Sequence, residues 1–136
     1  MIQHLVDRAD SFKVKISVIV GYKSKEVING VTSSNKISFI NQKNQLGTAH
    51  AVKQALPNLR KNSIGVILYG DVPLVTKGTI KKLIKNAING NLSLLTFVKD
   101  HPEGYGRIVR GTNNKVQRII EHKDASASER QIKEVN

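Results

Sequence analysis

An apolar run that ends in a glycine, a carboxylate and a proline constrains the fold of this chain more than any other feature. Residues 64–68 are mainly apolar and lead directly into Tyr-Gly-Asp-Val-Pro at residues 69–73. Such a short run predicts a strand buried on both faces, as in a parallel sheet. Open parallel sheets bind ligands at the carboxyl ends of their strands, where Asp71 could hold Mg²⁺ against phosphates. The alternative is a turn, because Gly-Asp-x-Pro is ordinary loop chemistry.

Helical and extended patterns alternate along the rest of the chain. Apolar residues at helical spacing predict helices at residues 2–12, 24–31, 48–56 and 77–89. Apolar runs predict strands at residues 16–20, 37–40, 64–68, 92–98, 107–109, 116–120 and 132–136. We expect Thr76 to cap the last helix and Gly90 to end it, and Asn113 and Asn114 to form a hairpin turn. The alternation predicts a Rossmann-like α/β sheet with an antiparallel hairpin added late.

Composition limits the size of the core and the cellular environment. With 136 residues, of which 39% are hydrophobic and 24% charged, the chain can bury one globular core but not two. It has no cysteine, no apolar stretch of membrane-spanning length and no secretory signal at its start. We therefore expect a soluble, cytoplasmic protein without disulfides or a membrane partner.

The formal charge of +12 invites a nucleic-acid interpretation, because basic surfaces attract phosphate backbones. The lysines are spread over several predicted elements, however, and no aromatic ladder accompanies them. We interpret them as solvated surfaces that favour anionic nucleotides and sugar phosphates, and we expect no nucleic-acid partner.

Three further segments complete an ordered set of motifs with the one around Asp71. Residues 42–51 read QKNQLGTAHA, residues 104–108 read GYGRI and residues 121–125 read EHKDA. The set resembles the uridylyltransferase domain of the bacterial bifunctional N-acetylglucosamine-1-phosphate uridylyltransferase/glucosamine-1-phosphate acetyltransferase. Each motif alone is weak, whereas the ordered set is specific. The resemblance spans essentially the whole chain.

The resemblance implies an incomplete domain. Family members have an earlier central strand and a glycine-rich loop followed by a lysine, which grip the triphosphate and neutralise transition-state charge. They also have a later second metal ligand and a trimeric acetyltransferase β-helix domain. None of these is found in residues 1–136. We expect a partial nucleotidyltransferase sheet with helices on both faces, whose unpaired edges make the chain poorly stable or prone to associate.

The resemblance also assigns substrate-binding residues in the first half of the chain. Gln42 would bind uracil, because its amide offers one donor and one acceptor group to the imide edge of the base. Gly47 and Thr48 would bind the nucleotide at a helix N-terminus, while Tyr69 and Gly70 would contact nucleotide or sugar beside Asp71. The alternatives are a solvated loop glutamine and a threonine that only caps its helix.

The second half would bind the sugar. Gly106 would let the backbone approach it closely, and Glu121 and Asn136 would hydrogen-bond its hydroxyl and acetamido groups. The alternatives are a plain turn glycine and a surface carboxylate. Asn136 is the last residue, where fraying would make it useless.

The remaining histidines and cations stay outside the expected site. The four histidines show no ligand spacing, so we do not expect zinc, and we interpret His50 and His122 as structural. Arg107 and Lys123 are interpreted as ion-pair or phosphate contacts rather than as nucleophiles. No residue is assigned a catalytic role, because the family lysine has no counterpart here.

The implied reaction joins UTP and N-acetylglucosamine 1-phosphate to give UDP-N-acetylglucosamine and pyrophosphate, with Mg²⁺ as cofactor. Its product is a precursor of peptidoglycan and lipopolysaccharide, and the chain alone is expected to be inactive. One alternative is a related nucleotidyltransferase for another sugar phosphate, since this fold has many substrates. Another is a non-catalytic remnant that binds a uridine nucleotide.

Overall fold

The computed structural model describes residues 1–136 and divides into two compact units, Met1–Asn89 and Gly90–Asn136. The fold is mixed α/β, with a parallel sheet in the first unit and an antiparallel sheet in the second. This agrees with the predicted fold class. No helix has the length and apolar character needed to cross a membrane.

The first unit is built on a strand–helix–strand motif followed by two more helices. Its elements are α1 (Ile2–Asp10), β1 (Ile16–Val20), α2 (Ser24–Gly30), β2 (Ile37–Asn41), α3 (Thr48–Ala55), a 3₁₀ turn (Leu56–Asn58) and α4 (Lys77–Ala87). β1 and β2 are parallel, with Ile16 opposite Ile37. A parallel pair needs a crossover connection, which α2 provides. These elements confirm the predicted ones to within about two residues.

The core of this unit lies between α1 and the two strands. Its buried members are Val6, Ile16, Val18, Val20 and Val31. Alternate residues of β1 are buried, and α1 contributes a stripe of apolar residues, so each element buries one face.

Helix α4 begins and ends where local signals predict. The Thr76 hydroxyl accepts a hydrogen bond from the Thr79 backbone N–H at 3.1 Å, which is N-cap geometry. Gly90 follows the helix with φ +76°, a conformation that favours glycine. Both predictions are confirmed.

The predicted buried strand at residues 64–68 is wrong. The segment has no strand partner, and Ile64 and Ile67 are 43% and 57% exposed. An extended segment becomes a strand only when a neighbour accepts and donates its backbone hydrogen bonds, and the sheet of this unit contains β1 and β2 alone. Asp71 therefore follows an unpaired segment and lies in a turn, closed by the Val72 N–H donating to the Tyr69 carbonyl at 3.1 Å.

The second unit is an antiparallel sheet of four strands in the order β3-β6-β4-β5. The strands are β3 (Phe97–Val98), β4 (Arg107–Arg110), β5 (Val116–Ile120) and β6 (Glu134–Val135), with a 3₁₀ turn at Glu129–Gln131. The predicted hairpin is confirmed as β4–β5, and Asn114 in its turn has φ +60°. Of the strand predicted at 92–98 only Phe97–Val98 forms, and of the strand predicted at 132–136 only Glu134–Val135 forms. The reason is that β3 and β6 pair at two positions only.

Candidate functional site

In the first unit, the loop before α3 lies at the carboxyl end of the parallel strands. The Gln42 backbone N–H donates to the Val20 carbonyl at 2.8 Å, one residue beyond β2. A Cβ placed on Gly21, which follows β1, would lie 2.9 Å from Nε2 of Gln45. The loop therefore crosses the end of β1, the edge at which open α/β sheets bind ligands.

Helix α3 begins at Thr48, with Gly47 as its N-cap. Gly47 has φ +88°, so a side chain there would be strained, and its carbonyl accepts from the Ala51 N–H at 3.1 Å. Thr48 is the first helical residue and makes no side-chain capping bond. The alternative that Thr48 caps the helix is therefore wrong, and the first N–H groups of α3 have no side-chain acceptor.

The Gln42 side chain is held against the start of α3. Its Nε2 lies 3.2 Å from the Gly47 carbonyl oxygen and 2.9 Å from Nδ1 of His50. On the other side of the ring, Nε2 of His50 lies 3.1 Å from Nε2 of Gln54. Gln42 is thus a half-buried, oriented side chain rather than a freely solvated one.

The Tyr69–Asp71 turn presents an exposed carboxylate. Asp71 makes no ion pair, and no group of three or more His, Cys, Asp or Glu side chains that could hold a metal ion is formed within residues 1–136. A free carboxylate nevertheless suits Mg²⁺, which proteins commonly hold through one or two carboxylates together with water and substrate phosphates.

In the second unit, the strand register brings the predicted sugar-binding residues into one row. Arg107 lies opposite Ile120 of β5 and opposite Val135 of β6. Gly106, Glu121 and Asn136 each lie one residue beyond these paired positions, just outside the strands. Side chains at adjacent positions of a strand point to opposite faces, so continued alternation predicts that this row lies on the face opposite Arg107.

Gly106 is required by close packing. A Cβ at this position would lie 2.6 Å from Oδ1 of Asn136 and 3.0 Å from Cγ2 of Ile119. Asn136 is half-buried, and its N–H donates to the Gly106 carbonyl at 3.3 Å. The expectation that Asn136 frays is therefore wrong, and the plain-turn alternative for Gly106 is also wrong, since the residue is buried next to a three-strand row.

Arg107, which follows Gly106 in the sequence, is buried and only 1% exposed. Its guanidinium donates to the Tyr105 carbonyl and, at 3.1 Å, to Nδ1 of His122, while its Nε has no partner. Arg107 forms no ion pair, so the ion-pair interpretation of it is wrong, whereas the phosphate contact stays a prediction. The contact is consistent with the structural interpretation of His122, which stays a prediction.

Two carboxylates hold this unit together through charged hydrogen bonds. Arg110 donates from Nε and Nη2 to both oxygens of Glu134 at 2.6 Å, and Thr96 adds a third bond at 2.7 Å. These bonds, Arg110 first, lower the pKa of Glu134 to about 2. Bonds from Ser126 and then Arg118 likewise lower the pKa of Glu129 to about 2.

The structure thus assembles two candidate clusters, one in each unit. The first contains the predicted residues Gln42, Gly47 and Thr48, and the structure adds His50 to them. The second contains Gly106, Glu121 and Asn136. Sequence reasoning placed His50 outside the site, although its spacing of four from Gln54 on a helix could have indicated their contact.

Comparison with known proteins identifies the family of the chain. A family model described as nucleotidyl transferase matches residues 1–131. The "Bifunctional protein GlmU" of Nitrosomonas europaea is 44% identical over 138 residues, covering 100% of this chain and 30% of the relative.

Proteins of the same name from other bacteria give similar values. The relative from Ruthia magnifica subsp. Calyptogena magnifica is 42% identical over 136 residues, and that from Francisella philomiragia subsp. philomiragia is 40% identical over 136 residues. The chain spans 30% of the length of each of these relatives. Because the family model matches nearly all of its residues, the chain belongs to the nucleotidyl transferase family.

Proposed function

We propose that this chain binds the substrates of a uridylyltransferase that forms UDP-N-acetylglucosamine and pyrophosphate from UTP and N-acetylglucosamine 1-phosphate. The observation that supports the proposal is that Gly106, Glu121 and Asn136 each lie one residue beyond the paired residues Arg107, Ile120 and Val135. A carboxylate and an amide beside a glycine offer hydrogen-bonding groups without a bulky side chain between them, which suits a hydroxylated, acetamido-bearing sugar.

The nucleotide is assigned to the Gln42 loop and the start of α3. Gln42 pairs with the uracil base, and the unpaired N–H groups after Gly47 donate to acceptor oxygens of the nucleotide. Tyr69 and Gly70 contact the ligand from the turn that contains Asp71. Each of these groups binds and orients the nucleotide, whose α-phosphate the sugar phosphate attacks in the proposed reaction.

Asp71 is the proposed ligand of Mg²⁺. The bound ion would neutralise charge that shifts to the leaving pyrophosphate. Because none of the 136 residues matches the glycine-rich loop or its lysine, we propose substrate binding, and not turnover, for this chain by itself. We assign the reaction to the cytoplasm, to the supply of peptidoglycan and lipopolysaccharide precursors, and to an oligomeric protein that contains this chain.

Nuclear magnetic resonance titration of the ¹⁵N-labelled chain with UDP-N-acetylglucosamine tests the proposal. We expect saturable shifts at Gly106, Glu121 and Asn136 together with shifts at Gln42 and Gly47. UDP alone should shift only the resonances of Gln42 and Gly47. UDP-glucose, which lacks the acetamido group, should shift those of Gly106, Glu121 and Asn136 less than UDP-N-acetylglucosamine does.

A matched control is Glu103→Gln, since Glu103 is an exposed carboxylate of the same unit but lies outside the row. Glu121→Gln should weaken the sugar-dependent shifts, whereas the control should not. Equal shifts with UDP-glucose would favour another sugar phosphate as substrate. No shift with any of the three ligands would refute the proposal for this chain.

A further inference from the structure

The Gln42 amide is fixed by two hydrogen-bond acceptors. A backbone carbonyl oxygen can only accept, so the part of the amide that lies 3.2 Å from the Gly47 carbonyl must be its NH₂ group. The same Nε2 lies 2.9 Å from Nδ1 of His50. The two amide hydrogens are therefore both used, and Oε1 is left as the free group of the side chain.

This arrangement also fixes the proton of His50. If Nδ1 accepts from Gln42, a neutral ring carries its hydrogen on Nε2. That Nε2 lies 3.1 Å from Nε2 of Gln54, and because both nitrogens would then be donors, we assign the Gln54 amide the opposite orientation, with its oxygen toward the ring. In that orientation Gln54, one turn further along α3, would accept from His50 and favour the tautomer that Gln42 requires.

We infer that His50 is a positioning residue that sets base specificity by keeping Oε1 of Gln42 available as an acceptor. The inference rests on the proposed function. An acceptor at this place pairs with a base whose ring nitrogen carries a hydrogen, as N3 of uracil does. It opposes cytosine, whose N3 is itself an acceptor, because two acceptors that face each other leave both without a donor.

The role of His50 is to prevent rotation of the amide. Without the second acceptor, the Gly47 carbonyl alone resists a 180° rotation that would present NH₂ to the base. One neutral hydrogen bond changes an equilibrium by roughly fivefold to tenfold. We expect His50→Ala to lower the ratio of uridine to cytidine affinity by about that factor, with much less effect on binding of the phosphates.

Two variants and one spectroscopic measurement test this inference. UDP and CDP are titrated separately into the wild-type chain, His50→Ala and His50→Asn, and the ratio of the two dissociation constants is compared. The Asn Oδ1 can occupy nearly the place of Nδ1 and accept from Gln42, so His50→Asn should restore the ratio. His4→Ala, an exposed histidine of α1, is the matched control and should leave the ratio unchanged.

The tautomer of His50 is read from the ¹⁵N shifts of its ring in the wild-type chain without nucleotide. Hydrogen on Nε2 is the expected result, and hydrogen on Nδ1 overturns the inference whether or not nucleotide binds. Binding with an unchanged UDP-to-CDP ratio in His50→Ala overturns the inference alone. Failure of both nucleotides to bind the wild-type chain defeats the proposed function and the base selectivity that rests on it.

Discussion

The backbone N–H of Asn136 donates to the carbonyl oxygen of Gly106 at 3.3 Å, and Oδ1 of Asn136 lies 2.6 Å from the position that a Cβ on residue 106 would take. The two residues are 30 positions apart in the sequence. Their contact joins β4 to β6 at one end of the sheet and leaves no room for a side chain at residue 106.

Gly106→Ala should therefore destabilise the chain. The new methyl group must displace Asn136 and press on Ile119, and overpacking of this kind costs about 1–3 kcal/mol. Urea denaturation measures the change. Gly30→Ala is the control, since a Cβ there meets nothing within 4 Å and alanine is the better helix former. Equal stability of the two variants would contradict the packing argument.

Replacement of the buried Arg107 tests whether its contacts with the Tyr105 carbonyl and His122 stabilise the sheet. A lysine cannot bridge both the Tyr105 carbonyl and the His122 ring in the geometry of a guanidinium, so Arg107→Lys should lose about 2 kcal/mol of unfolding free energy. Arg118→Lys is the control, because Arg118 is 60% exposed and solvent screens its pair with Glu129. A loss no greater than that of the control would indicate that Arg107 does not hold both segments.

The bonds to Glu134 predict acid sensitivity. Its folded pKa of about 2 lies below the ordinary 4.5, so its stabilisation is present above pH 4.5 and is lost as the pH falls toward 2. Because the pair is partly solvated, we expect this loss to be about 1 kcal/mol. In Glu134→Gln, thermal unfolding between pH 5 and pH 2.5 should depend less steeply on pH. Glu26→Gln, which removes a carboxylate paired only with exposed Lys23, should retain the wild-type slope.

The apolar segment at residues 64–74 predicts self-association. Ile67 and Leu74 are 57% and 86% exposed, and β1 has a neighbouring strand on one side only. Sedimentation velocity should show association that increases with concentration, and Ile67→Lys should reduce it. Leu92→Lys adds the same charge at a residue that is 90% exposed outside the segment and should have less effect. A monodisperse wild-type monomer with a cooperative thermal transition would contradict the prediction.

Asp71 should couple nucleotide affinity to Mg²⁺. If its carboxylate helps to hold the ion against phosphates, Mg²⁺ should increase the affinity for UTP. In Asp71→Asn this increase in affinity should be about tenfold smaller, which corresponds to roughly 1.4 kcal/mol. Calorimetric titrations with and without Mg²⁺ measure the coupling. Asp124→Asn, an exposed carboxylate in the other unit, should preserve it. An unchanged Mg²⁺ effect in Asp71→Asn would remove this residue from the proposed metal site.

Features with local causes could be predicted from the sequence. The Thr76 cap, the Gly90 stop and the turn at Asn114 depend on residues within a few positions of each other, and all three are confirmed. The ordered motifs likewise identified the family, because a motif is a local pattern of residue types.

The sequence by itself therefore determined most helices, the hairpin and the family, whereas tertiary structure decided pairing and the arrangement of the clusters. Residues 64–68 have the composition of a buried strand, yet no neighbouring strand pairs with them. The row of Gly106, Glu121 and Asn136 exists only because three strands adopt one register, and the contact of Gln42 with His50 requires the loop to fold back on α3. Such features depend on hydrogen bonds between distant residues, which local composition does not specify.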